Sequence, residues 1–148
     1  MYRNILIATD GSELADKAVA HGLNLAKAVG AKVTALIVEA PFNVFSVPES
    51  RARQLSQEFA QHAEYVKRHA GKVLGDVAEA ARKAGVPCDT VQIEDEQPYH
   101  AIIKTAENKS CDAIVMASHG RSGISAVLLG SVTNKVLTHT AIPVVVVH

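Results

Sequence analysis

Short apolar runs alternate along the chain with longer amphipathic stretches, and each run sets up the next. Asn4 to Ala8, NILIA, is apolar almost throughout, which predicts a strand covered on both faces. It ends at Thr9-Asp10-Gly11-Ser12, a turn cluster in which Ser12 is placed to cap a helix. In that helix Ala15, Ala18, Val19, Gly22, Leu25, Ala26 and Val29 recur at three- and four-residue intervals as one stripe, and Gly30 stops it. Lys32 to Val38, KVTALIV, is β-branched and bounded by Gly30 and Pro41, so it predicts a second strand.

Between Glu39 and Ser50 the periodicity is lost, and two prolines and two phenylalanines mark a loop of a length that often carries function. From about Arg51 to Ala84 the chain predicts one long helix striped by Leu55, Phe59, Val66, Val73 and Val77. Gly71 or Gly75 is the point of possible interruption, and the pair is expected where this helix approaches the sheet closely. His62 and His69 fall seven apart on one face. With no third ligand in register they read as surface histidines rather than a metal site.

Gly85-Val86-Pro87 closes the helix, and Cys88 to Glu94 alternates as a third strand. Pro98 opens a helix carrying Ile102, Ile103 and Ala106 on one side. Asp112 precedes a fourth strand, Ala113 to Ala117. The last helix begins around Gly130-Ser131, runs to about His139 and carries Val132, Val136 and Leu137 inward, and Ile142 to Val147 is the final strand. Five strands alternating with four helices predict a doubly wound, Rossmann-like parallel sheet of order 3-2-1-4-5, helices on both faces, as a single domain over residues 1–148.

With 48% hydrophobic and 20% charged residues, the 148-residue chain has a globular composition and enough length to bury a core unaided. Its 15 basic and 15 acidic residues cancel, which removes the overall field that would draw nucleic acid or an anionic membrane. Cys88 and Cys111 stand in no metal-ligand spacing and are expected as reduced, mostly buried thiols. No signal-length apolar region precedes Asp10 and no apolar run reaches about 18 residues, so a soluble, cytoplasmic protein is expected.

The chemistry concentrates in Ile114 to Thr133. An apolar strand breaks there into a loop with Gly120 and Gly123, and a helix restarts at Gly130-Ser131, an order that presents backbone N–H groups to an anion. Doubly wound sheets bind ligands at the carboxyl ends of their strands where the order reverses, which sets Ala8-Thr9-Asp10 opposite Met116 to Gly123. Asp10 would hold ribose hydroxyls or Mg²⁺, Arg121 would supply a cation for phosphate, and Ser131 and Thr133 would add hydroxyls at a helix N-terminus. Each residue also has a plainer reading. Asp10 could cap a helix, the glycines could serve a turn, Arg121 could be a solvated charge, and His119 could be a loop residue, there being no recognisable nucleophile or orienting partner near it. Neither GxGxxG after the first strand nor a GxxxxGKS/T phosphate loop is present.

The opening NILIATDGS and the closing MASHGRSGISAVLLGSVTNKVLTHTAIPVVVV together resemble the universal stress protein family, and the likeness covers essentially the whole chain. Nucleotide-binding members of that family carry G-x2-G-x9-G-S/T. Here the pattern runs from Gly120 to Gly130-Ser131, with Ala117 at the first glycine position. The resemblance implies the ATP-binding branch, with ATP as ligand and Mg²⁺ reaching Asp10 through it. Carried over by position, Ala8, Thr9, Asp10, Val38, Met116 and Ala117 would surround adenine and ribose. Gly120, Arg121, Gly130, Ser131, Val132 and Thr133 would line the phosphates.

The resemblance also implies a stress and signalling role, with the nucleotide ordering Ser118 to Leu129 and so altering binding of an unidentified protein partner. It implies a homodimer through Pro143 to Val147, and the run VVVV independently lacks any proline, bulge or inward charge to blunt pairing. The alternative is a slow ATPase or phosphotransfer enzyme using Asp10, His119 and the Gly120 to Gly130 loop. A receiver-like phosphoacceptor fits poorly, because the first strand ends on one acid rather than several.

Overall fold

In the computed structural model, which describes residues 1–41, 49–120 and 129–148, two short apolar runs lie side by side at the centre of the sheet. They are β1 (Asn4–Ala8) and β4 (Ala113–Ala117). Outside them stand β2 (Lys32–Glu39), β3 (Cys88–Glu94) and β5 (Val144–Val147), all parallel, in the order β3-β2-β1-β4-β5. The crossovers are α1 (Glu13–Val29), α2 (Ala52–Ala84), α3 (Pro98–Asn108) and α4 (Ser131–His139), with a short 3₁₀ turn at Glu49–Arg51 before α2. The order and the helices on both faces are those the sequence predicts. The expected loop after Glu39 lies in large part outside the described residues.

Strand parity assigns each side chain to a layer. Ile5, Ile7, Val33, Ala35, Ile37, Ala113 and Val115 pack in one cluster with α1 and α2, while Leu6, Leu36, Ile114 and Met116 pack in another with α3 and α4. Two polar side chains sit in this centre, Asn4 and Thr34, and they bond to each other. Asn4 donates through Nδ2 to the Lys109 carbonyl at 3.0 Å and accepts from the Thr34 hydroxyl at 3.1 Å. Beside it the Asp112 carboxylate accepts from the backbone N–H groups of Arg3 at 2.9 Å and Asn4 at 3.2 Å, fastening the start of β4 to the start of β1.

The helices meet the sheet through small residues. On α1 the Ser12 hydroxyl accepts from the Ala15 N–H at 3.2 Å, and Gly30, at φ +72°, ends the helix in the left-handed conformation. Leu23 joins the buried stripe of α1, whereas Leu25 packs at its margin. On α2 only Ala70, Leu74, Val77 and Ala81 are buried, so the sheet is covered by the C-terminal half and Phe59 stands 50% exposed. Leu137 of α4 also turns outward, at 39% exposure, and Val136 takes the core position.

Two expectations for α2 are corrected. Gly71 and Gly75 neither interrupt the helix nor approach the sheet, since both are exposed and a methyl group on either would meet nothing within 4 Å. Each Gly→Ala change should therefore raise stability by about 0.5–1 kcal/mol, by removing backbone freedom from the unfolded chain. Urea unfolding would check this, and a loss of stability would mean a close neighbour at these positions. His69 is not a surface histidine. Its ring stacks on Tyr65 with centroids 5.8 Å apart, and its Nε2 lies 3.9 Å from Glu39 Oε1. Among the described residues no three potential ligands gather into a metal site.

Both cysteines are free thiols, Cys111 buried and Cys88 half-buried. Burial pushes both above the usual thiol range, which makes them poor nucleophiles near neutrality. Among the described residues no helix is long and apolar enough to cross a membrane.

Candidate functional site

Parallel strands end on one side of the sheet, so the turns after β1 and β4 gather there. The reversal of order between these strands opens a crevice. It forms a cleft of about 550 Å³. Its floor is strand ends, and its walls are the β1–α1 turn, the loop after β4 and the first turns of α3 and α4.

The β1–α1 turn is fixed by its own side chains. Thr9 Oγ1 accepts from the Gly11 N–H at 3.2 Å and Asp10 Oδ1 accepts from the Ser12 N–H at 2.9 Å. Gly11 holds φ +79°, a conformation that favours glycine. Ser12 is thus the helix cap, and Asp10 shapes the turn from within the cleft. A methyl group on Gly120 would lie only 2.6 Å from Asp10 Oδ2. The two loops named from the sequence therefore touch, and they do so because residue 120 has no side chain.

The start of α4 is pressed against the end of β4 in the same way. Gly130 donates its N–H to the Ser118 carbonyl at 2.6 Å, and a methyl on it would meet His119 Cα at 3.1 Å and Ser118 O at 3.2 Å. The Thr133 side chain, 2% exposed, donates to the Ala117 carbonyl at 2.8 Å and so acts as a strut between helix and strand. Gly130 and Thr133 thus serve the seam with groups that the sequence reading assigned to phosphate. Among the described residues no side chain caps this helix, and the N–H groups of its first turn, at Ser131, Val132 and Thr133, precede the first intrahelical bond, from Asn134 to Gly130. Such an end favours negative charge.

Ala8, Thr9, Asp10, Val38, Met116, Ala117, Gly120, Gly130, Ser131, Val132 and Thr133 all border the cleft. Arg121 and Gly123 lie outside the described residues. Ala117, at the first glycine position of the motif, also packs in the α1–α2 cluster and is 9% exposed. Sequence reasoning missed Ala15, Leu36, Pro98 and Ile102 as cleft residues, whereas His119, read from the sequence as a loop residue or as part of the ATPase alternative, also borders the cleft. Pro98 and Ile102 reach the cleft because α3, although it follows the outermost strand, packs beside α4, and Leu36 reaches it from β2.

A sequence profile of the universal stress protein family matches residues 1–148. The chain belongs to the universal stress protein family. It is 33% identical over 147 residues to universal stress protein MJ0531 of Methanocaldococcus jannaschii, covering 99% of this chain and 82% of that one. It is also 33% identical over 156 residues to universal stress protein YxiE of Bacillus subtilis, covering all of both. Among solved structures it is similar to the hypothetical protein MJ0577, with a TM-score of 0.79, 27% identity and coverage of 99% and 96%. A universal stress protein in complex with cAMP shares the fold at a TM-score of 0.71 and 24% identity, with coverage of 99% and 97%.

Proposed function

We propose that this universal stress protein binds an adenine nucleotide, ATP foremost, in the cleft between β1 and β4, and that occupancy acts on the loop between Ser118 and Leu129 to alter binding of a protein partner. The observation that carries the reading is the meeting of one carboxylate, Asp10, with a helix start, Ser131 to Thr133, that no described side chain caps, across an apolar slot. The slot bordered by Leu36, Val38, Ile102 and Met116 suits the faces of a purine. The Asp10 carboxylate suits ribose hydroxyls, which donate to it, and the α4 N–H groups suit phosphate oxygens. Gly120 and Gly130 have the form of a cradle, since a Cβ at either position would run into the opposite loop.

Mg²⁺ fits this donor set only as a passenger. Asp10 offers one carboxylate, and phosphates with water would complete the shell. Asp10 and the α4 backbone would orient the nucleotide. The apolar wall would exclude water from the base.

The reading extends to assembly and place. β5 is an edge strand, and all four of its valines are half-exposed, whereas the other edge, β3, exposes Asp89 and Glu94. An unblunted valine edge supports a two-fold dimer through Pro143 to Val147. Free thiols and a nucleotide ligand support a cytoplasmic setting.

Calorimetric titration of the purified chain tests the central point. ATP, ADP and AMP should each saturate a single site per chain, and GTP should bind roughly tenfold more weakly or worse. Absence of saturable heat with every adenine nucleotide would remove the reading.

A further inference from the structure

We infer that His119 contacts the phosphate chain of the ligand, held in place by the buried hydroxyl of Ser118. The site then reads phosphate with a side chain as well as with the α4 backbone. The inference rests on the nucleotide reading above and goes beyond it, because the glycine pattern assigns no role to His119.

Position is the first ground. His119 borders the cleft between Ser118 and Gly120, and Gly120 in turn lies against the Asp10 carboxylate. Its Cα and Cβ pack where α4 begins, since a methyl on Gly130 would lie 3.1 Å and 3.3 Å from them. The residue therefore stands at the end of α4 that favours an anion.

Orientation is the second. Nδ1 of His119 and Oγ of Ser118 share a hydrogen bond of 3.2 Å. Ser118 is 1% exposed and anchored on both sides, donating its N–H to the Val147 carbonyl at 2.8 Å and accepting from the Gly130 N–H at 2.6 Å. With its backbone fixed in this way, Ser118 holds the imidazole by one nitrogen through its buried hydroxyl.

The third ground is the other nitrogen. Among the described residues Nε2 makes no hydrogen bond. When the Ser118 hydroxyl donates to Nδ1, the neutral ring carries its proton on Nε2, and the protonated ring carries one there as well. Phosphate oxygens accept only, so they select these two forms over the remaining tautomer. His119 then works as a donor to phosphate, and Ser118 is its positioning residue.

The test compares ligands with and without phosphate on the full chain. Adenosine and ADP are titrated calorimetrically into wild type, His119→Ala, His119→Gln and Ser118→Ala. His119→Ala should weaken ADP roughly tenfold and leave adenosine within about twofold. His119→Gln keeps a neutral donor of similar reach and should fall between. Ser118→Ala should cost ADP roughly threefold, again sparing adenosine, a split that loss of packing alone would not produce. Equal losses for adenosine and ADP would overturn the inference, as would wild-type ADP affinity in His119→Ala. A wild-type chain that binds neither ligand would remove the nucleotide reading itself, and this inference with it.

Discussion

Replacing Gly130 by valine is expected to lower ATP affinity at least tenfold while the sheet stays folded. The obstacle is steric rather than torsional, because Gly130 has φ −71° and ψ 162°, which valine adopts readily. A Cβ there meets His119 Cα at 3.1 Å and the Ser118 carbonyl at 3.2 Å. Both are backbone atoms and have no rotamer by which to move aside. The start of α4 must shift, and the 2.6 Å bond from the Gly130 N–H to Ser118 lengthens with it.

The first-turn N–H groups proposed to meet phosphate then miss their mark. A hydrogen bond to a charged group is worth about 1.5–3 kcal/mol, so misplacing one already accounts for a tenfold loss. The cores are left alone, since Thr133 and Val136 anchor the helix further along. Calorimetry gives the affinity and urea unfolding gives the stability of the same variant. Wild-type affinity in a folded Gly130→Val chain would mean that this helix start does not touch phosphate.

Gly22→Val should act in the opposite way, leaving the cleft chemistry in place and destabilising the fold by about 2 kcal/mol. Gly22 lies on α1 against the sheet, and a Cβ there would sit 2.6 Å from Ile7 Cδ1, 2.9 Å from Ile7 Cγ1 and 3.5 Å from Val115 Cβ. Ile7 and Val115 are both fully buried, so relief requires α1 to lift. Overpacking of this kind costs roughly 1–3 kcal/mol, and valine's small helix-propensity advantage over glycine returns only a few tenths of that. A fall in Tm of roughly 4–8 °C follows for a chain of this size. A variant as stable as wild type would show that the α1–β1 contact is looser than these distances require. Together with the opposite sign expected at Gly71 and Gly75, the series separates glycines needed for contact from glycines that merely loosen a helix.

Strand order and layers were legible because an all-parallel sheet buries its centre on both faces, so β1, β2 and β4 read as unbroken apolar runs. The helices were less legible in phase. A stripe chosen by bulk picked Leu55 and Phe59, whereas a helix lying close over a sheet buries what is small, here Ala70 and Ala81 around Leu74 and Val77. The same bias favoured Leu25 over Leu23 and turned Leu137 inward. Gly71 and Gly75 were assigned a packing role that belongs to Gly22.

At the cleft the motif supplied the glycines and Asp10, because their chemistry depends on spacing. Leu36, Pro98 and Ile102 went unnoticed because an apolar wall has no signature of its own and becomes visible only when α3 is set beside α4. His119 read more readily as a loop residue than as a working group because its partner, Ser118, is ordinary in sequence and distinctive only when buried.

The clasp between Asp112 and the backbone of Arg3, 109 residues away along the chain, bears on when the cleft comes into being. During synthesis β1 and its Asp10 turn emerge early, yet they stay half of a site until β4 slots in beside β1 and α4 closes over it. Closing so long a loop is slow compared with forming the local helices. A nascent or truncated chain lacking the final quarter therefore lacks the cleft proposed to hold nucleotide. Ligand stabilises only the completed chain, by mass action, so cellular nucleotide would act as an inspector of finished molecules.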